Sequence, residues 1–123
     1  MIELDKFIKI FQGLTSAYGQ TVKTDQFSEK GKHKTKSFTI SNPVTKKLWR
    51  EHLEGKDPAL GIVPITKENK CKWGCIDIDT YPFDHKKFIQ KLKQKNIPMI
   101  VCRSKSGGTH AFLFTKDFVP ATV

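Results

Sequence analysis

Residues 73–79 read Trp73–Gly74–Cys75–Ile76–Asp77–Ile78–Asp79, and residues 97–114 read IPMIVCRSKSGGTHAFLF. The first stretch alternates in period two over its second half, which is strand patterning. The second reads as two apolar strands, Ile97–Arg103 and Thr109–Phe114, joined by the short turn Ser104–Lys105–Ser106–Gly107–Gly108. Between them, Phe88, Ile89 and Leu92 recur at helical spacing among lysines, predicting a helix from about Asp84 to Lys95. Strand, helix, strand and strand in this order describe an α+β protein with helices covering a mixed sheet. A right-handed crossover places strands 73–79 and 97–103 parallel in one sheet.

Upstream the pattern is looser. Leu4, Phe7, Ile8, Phe11 and Leu14 mark an amphipathic helix over 3–14. Residues 23–36, KTDQFSEKGKHKTK, are polar and basic and read as a flexible loop, or as an arm ordered by a phosphate backbone. Ser41 or Asn42 as cap, Pro43 in the first turn and Gly55 as stop frame a second helix. His52 on that helix reads as structural. LGIVPI (60–65) is a short strand in which Pro64 suggests an edge or bulge. Phe118 to Val123 looks like the entrance to a further helix, with Pro120 near its first turn. The 123 residues suit a single domain.

Lys and Arg number 22 against 12 Asp and Glu, a net charge of +10. Such an excess suits a polyanionic partner or, more plainly, solubility. No apolar stretch approaches the roughly 20 residues of a membrane-spanning helix, and charges interrupt the N-terminus. The odd cysteine count, Cys71, Cys75 and Cys102, points to a reducing, cytoplasmic setting. A tetrahedral zinc site lacks its ligand set.

Asp77 and Asp79 are two residues apart on a strand, so their carboxylates share a face with Cα atoms about 7 Å apart. That spacing lets them share metal ions roughly 3.5–4 Å apart, as in two-metal phosphoryl transfer. Hard oxygen ligands select Mg2+ or Mn2+. The plainer reading makes Asp79 a turn former before Thr80–Tyr81–Pro82 and Asp77 a hydrogen-bonded strand residue. The turn carries serine hydroxyls, two glycines that permit positive φ and free backbone N–H groups, and charge from Arg103 and Lys105. His110, entering the next strand, can donate to a phosphate. An ordinary hairpin loop has the same composition. Together the acids and the turn make a phosphoryl-transfer site when the topology brings them to one end of the sheet.

GCIDID around Asp77 and Asp79, RSKSGGTHAFLF around His110, and the upstream block LWREHLEG then LGIVPI resemble the archaeo-eukaryotic primase catalytic domain. The likeness is greatest to the primase–polymerase branch of phages and mobile elements, and it covers roughly residues 43–118. It implies an RRM-like catalytic core and template-directed joining of nucleoside triphosphates on a single-stranded template. By the resemblance Asp77 and Asp79 bind the divalent metals, while Ser106 and His110 match the nucleotide-binding motif. Gly107 and Gly108 form its turn, with Arg103 and Lys105 as electrostatic helpers. Such proteins carry a third metal-binding acid on a later strand. Here Asp117, expected in a turn, is the only acidic residue after His110. The expectation is therefore the N-terminal part of a longer catalytic domain or a shortened relative, with a helicase or further domains as possible partners. A nucleotide- or nucleic-acid-binding module without turnover is the alternative, and a metal-dependent nuclease a more distant one.

Overall fold

The computed structural model describes residues 2–122, with the backbone alone at Ile2. The chain is α+β, as expected, but its strands form two small antiparallel sheets rather than one mixed sheet. Contacts divide the described residues into two compact units, one up to residue 71 with 120–122 and the other of residues 72–119. Among the described residues no helix is long and apolar enough to cross a membrane.

The first unit is built on helices α1 (Ile2–Ile10) and α2 (Lys46–Leu53). Leu4 and Trp49 are buried. The Phe7 ring meets Trp49 edge-on at 5.8 Å and Phe11 at 4.8 Å. Such aromatic pairs each add about 0.5–1.5 kcal/mol beyond their buried area. Lys46 pairs with Asp5 at 2.7 Å, tying the two helices at their surface. The cap of α2 is Thr45, whose hydroxyl accepts from the Leu48 N–H, not Ser41 or Asn42. His52 is structural, as its position suggested: its Nδ1 accepts from the Leu60 N–H at 3.2 Å.

Residues 23–36 belong to a β-ribbon instead of a loop. Strand β1 (Tyr18–Phe27) pairs antiparallel with β2 (His33–Ile40), and Ser28–Lys32 turn between them. The lysines masked a run of strand formers: Thr21, Val22 and Thr24 on one side, Thr35, Phe38, Thr39 and Ile40 on the other. Strand β3 (Ala59–Gly61) joins the other edge of β1 and is shorter than the apolar run 60–65. Pro64 lacks a ladder donor, and the Val63 carbonyl accepts instead from the Leu14 N–H at 2.8 Å.

In the second unit the order is β4–β6–β5, from β4 (Lys70–Ile78), β5 (Ile100–Arg103) and β6 (Thr109–Pro120). β4 and β5 run the same way, as expected, but β6 lies between them. A short turn favours local pairing, and THAFLF is apolar enough for the central place. Strand β6 continues through Pro120, where a helix entrance was expected, and includes Asp117. Val123, the last residue of that expected helix, lies outside the described residues. Helix α3 (His85–Gln94) is capped by Asp84, whose carboxylate accepts from the Lys87 N–H, and it packs on β5. Leu92, Thr109 and Ala111 form the buried interior of this unit.

Candidate active site

Strand β4 delivers Asp77 one residue before its end, and Asp79 follows the last ladder residue. Because β6 is the central strand, His110 at its start lies across from them. Asp77 Oδ1 stands 3.4 Å from His110 Nε2, with the side chains 59% and 43% exposed, so a ligand can reach both. The imidazole also meets Phe112 edge-on at 6.1 Å, and Phe112 in turn stacks on Phe114 at 5.9 Å.

Asp79 reaches the turn through a residue the sequence reading passed over. The Tyr81 hydroxyl donates to Asp79 Oδ1 at 3.2 Å and lies 2.9 Å from Ser106 Oγ. A phenol has one proton, so when it goes to Asp79 the Ser106 hydroxyl donates to Tyr81. Ser106 Oγ is also 3.4 Å from Ser104 Oγ. Carboxylate, phenol and two serines thus form one polar chain from the end of β4 to the β5–β6 turn.

The turn is closed by its own backbone. Ser104 N–H donates to the Gly108 carbonyl and Gly107 N–H to the Ser104 carbonyl, both at 3.0 Å. These two N–H groups therefore serve the turn, leaving serine hydroxyls and Lys105 as the more accessible donors for a phosphate. Gly107 has φ +92°, a conformation costly to any residue with a Cβ. At Gly108 a Cβ would lie 2.6 Å from the Ile78 carbonyl oxygen and 3.2 Å from the Tyr81 hydroxyl. The missing side chain is what lets the turn rest against the end of β4. His85 Nε2 donates to the Gly108 carbonyl at 2.9 Å, which places its ring proton on Nε2 and ties the start of α3 to the same turn.

Not every expected residue converges. The register pairs Cys102 with His110 and Arg103 with Thr109. Paired residues share a face and successive ones alternate, so Arg103 leaves the sheet opposite His110, on the side of buried Thr109. Lys105 is exposed in the turn. The Cys75 thiol is held above its ordinary value, first by burial and then by the Asp77 charge and Cys102. Among the described residues no three His, Cys, Asp or Glu side chains converge on a metal position. Two carboxylates still fit Mg2+ or Mn2+, since magnesium commonly takes one or two from protein and the rest from water and substrate phosphates.

Tyr81 and His85 carry no motif of their own. Their only sequence signal is proximity: Tyr81 follows Asp79 by two residues and His85 opens α3. No curated protein sequence matches the chain. The model of the archaeo-eukaryotic primase domain of the TOTE conflict system matches residues 5–123, almost the whole sequence, and the chain belongs to that family.

Proposed function

We propose that this chain performs template-directed nucleotidyl transfer, as in primer synthesis or polymerisation of DNA or RNA, with Asp77, Asp79 and His110 at its chemical centre. Family membership supports nucleotidyl transfer at the coarse level. The observation that carries the finer reading is the approach of Asp77 to His110, beside the Asp79–Tyr81–Ser106 chain. On this reading the acids hold cations and the neighbouring donors hold a triphosphate.

In the reaction a 3′-oxygen bonds to the α-phosphorus of a nucleoside triphosphate, the bond to the β-phosphate oxygen breaks, and pyrophosphate leaves. Asp77 and Asp79 would hold Mg2+ or Mn2+, which supplies activation of the hydroxyl and charge neutralisation on the phosphates. His110 donates to a phosphate oxygen and is oriented by its contacts with Asp77 and, edge-on, with Phe112. Ser104, Ser106 and Lys105 bind the triphosphate, and Tyr81 keeps Ser106 aimed at it. Such preorganised donors act without rearranging during the reaction.

Asp77→Ala tests this reading with a single-stranded template, nucleotides and Mn2+. Primer extension or synthesis is expected to fall by at least about a hundredfold, because metal-assisted charge stabilisation supplies several kcal/mol. The circular dichroism spectrum should hold. Retention of full activity would remove Asp77 from the mechanism. A second reading, a binding module without turnover, is favoured by the absence of a third converging ligand among the described residues. It predicts nucleotide binding by the unaltered chain with no extension product.

A further inference from the structure

The tip of the β1–β2 ribbon is a second charged surface, outside the site just described. From Lys30 to Lys36 the sequence KGKHKTK holds four lysines and a histidine without one carboxylate. With Lys23, the ribbon carries five lysines, and none forms an ion pair among the described residues. Surface lysines that serve only solubility are commonly interspersed with acids. Here the acids are confined to Asp25 and Glu29 on the other arm and the turn.

The tip is shaped as well as charged. Phe27 is 57% exposed and lies against the His33 ring, centroids 4.3 Å apart and planes 35° from parallel. An irregularity between Lys23 and Phe27 lets the Thr24 hydroxyl donate to the Lys34 carbonyl at 2.9 Å while His33 Nδ1 donates to the Thr24 carbonyl at 2.9 Å. The turn itself is closed by Ser28 N–H to the Lys32 carbonyl at 2.7 Å. These bonds hold an aromatic plane on a built strand end. Beside it is a hollow of about 410 Å³ lined by Phe27, Ser28, Glu29, Lys30 and Lys34.

An exposed aromatic plane flanked by unpaired cations meets the two requirements of single-stranded nucleic acid, a stacking partner for a base and positive charge for its phosphates. A duplex hides its base faces and would use only the lysines. An acidic peptide would use the lysines and leave Phe27 idle. We propose that the β1–β2 tip grips single-stranded nucleic acid, with a base against Phe27 and neighbouring phosphates on Lys30 and Lys34. Glu29 lines the same hollow and can accept from an exocyclic base amine. The proposal rests on the reading of a single-stranded template as partner, and names residues for that strand other than Asp77 and His110.

The full chain is titrated with a fluorescent oligothymidylate of about 20 nucleotides, longer than one site of this kind, and with the matching duplex. Salt is varied between about 50 and 200 mM. Lys30→Glu with Lys34→Glu is expected to weaken oligothymidylate binding at least about tenfold and to flatten the salt slope by about 1.4, the share of two phosphate contacts. Phe27→Ala, which keeps every charge, should lose at least about fivefold on the single strand and little on the duplex. Lys86→Glu with Lys87→Glu on α3, an equal charge change elsewhere, should lose less than about threefold. Circular dichroism and unchanged Mn2+–nucleotide binding show that each variant is folded. The proposal is overturned if the chain does not bind the oligonucleotide. Equal losses from the ribbon and α3 reversals, or full affinity in Phe27→Ala, overturn it too. Asp77→Ala should bind the oligonucleotide normally, so a failure of the chemical reading and a failure of this one are separable.

Discussion

Tyr81 shows how one hydroxyl can join two functions. It donates to Asp79, which is expected to hold cations, and touches Ser106, which is expected to hold phosphates. Removing that hydroxyl leaves both partners in place but frees them to turn. Tyr81→Phe is therefore expected to weaken nucleotide binding about five- to tenfold, the worth of a hydrogen bond of about 1 kcal/mol with a charged partner included. A titration monitored by nucleotide fluorescence, with thermal melting to show an intact fold, checks it. An unaltered dissociation constant would mean that Ser106 does not depend on Tyr81. Thr109 is a residue of the opposite sort. It is fully buried and its hydroxyl has no hydrogen-bond partner among the described residues, so its place reflects packing under the sheet and not polarity.

At the level of elements, the β5–β6 turn is the piece whose shape the site depends on. A methyl group at Gly108 would press into the Ile78 carbonyl, which is backbone and cannot swing aside. Gly108→Ala is expected to destabilise the protein by about 1–3 kcal/mol and to lower nucleotide affinity with it. Chemical denaturation measures the first effect, and unchanged stability would show that the turn does not rest on β4 as described. The hairpin, α3 and the acidic strand were legible in the sequence because apolar spacing and turn residues agreed there. The ribbon over 18–40 was not, since lysines on exposed strands erase the apolar alternation that marks a half-buried one. Tyr81 and His85 were not legible for a different reason: their partners, Ser106 and Gly108, are distant in sequence and met only through the fold. Arg103 was expected to lend its charge to the turn, and only the register shows it facing away from His110.

For the whole molecule, surface ion pairs make the pH response readable. Lys46 holds the Asp5 carboxyl below its ordinary value, first by hydrogen bonding and then by charge, and Lys56 does the same to Glu54. A carboxyl held low in the folded state contributes fully above its unfolded value and loses that contribution as pH falls through the folded one. Melting temperature should therefore decline on the acid side of the ordinary carboxylate range. The decline should be shallower in Lys46→Ala, and shallower for both proteins near 1 M salt, where screening reaches about 3 Å. Identical acid limbs in the two proteins would show that the Asp5–Lys46 contact does not matter to stability. The central position of β6 has a consequence for synthesis. Strands β4 and β5 leave the ribosome first, yet neither has a hydrogen-bonding neighbour in this sheet until β6 emerges between them. His110 travels with β6, so a nascent chain stalled before residue 109 has Asp77, Asp79 and the turn serines but lacks the imidazole proposed to work with them. On this order of assembly, the centre proposed above is complete only once β6 has been made.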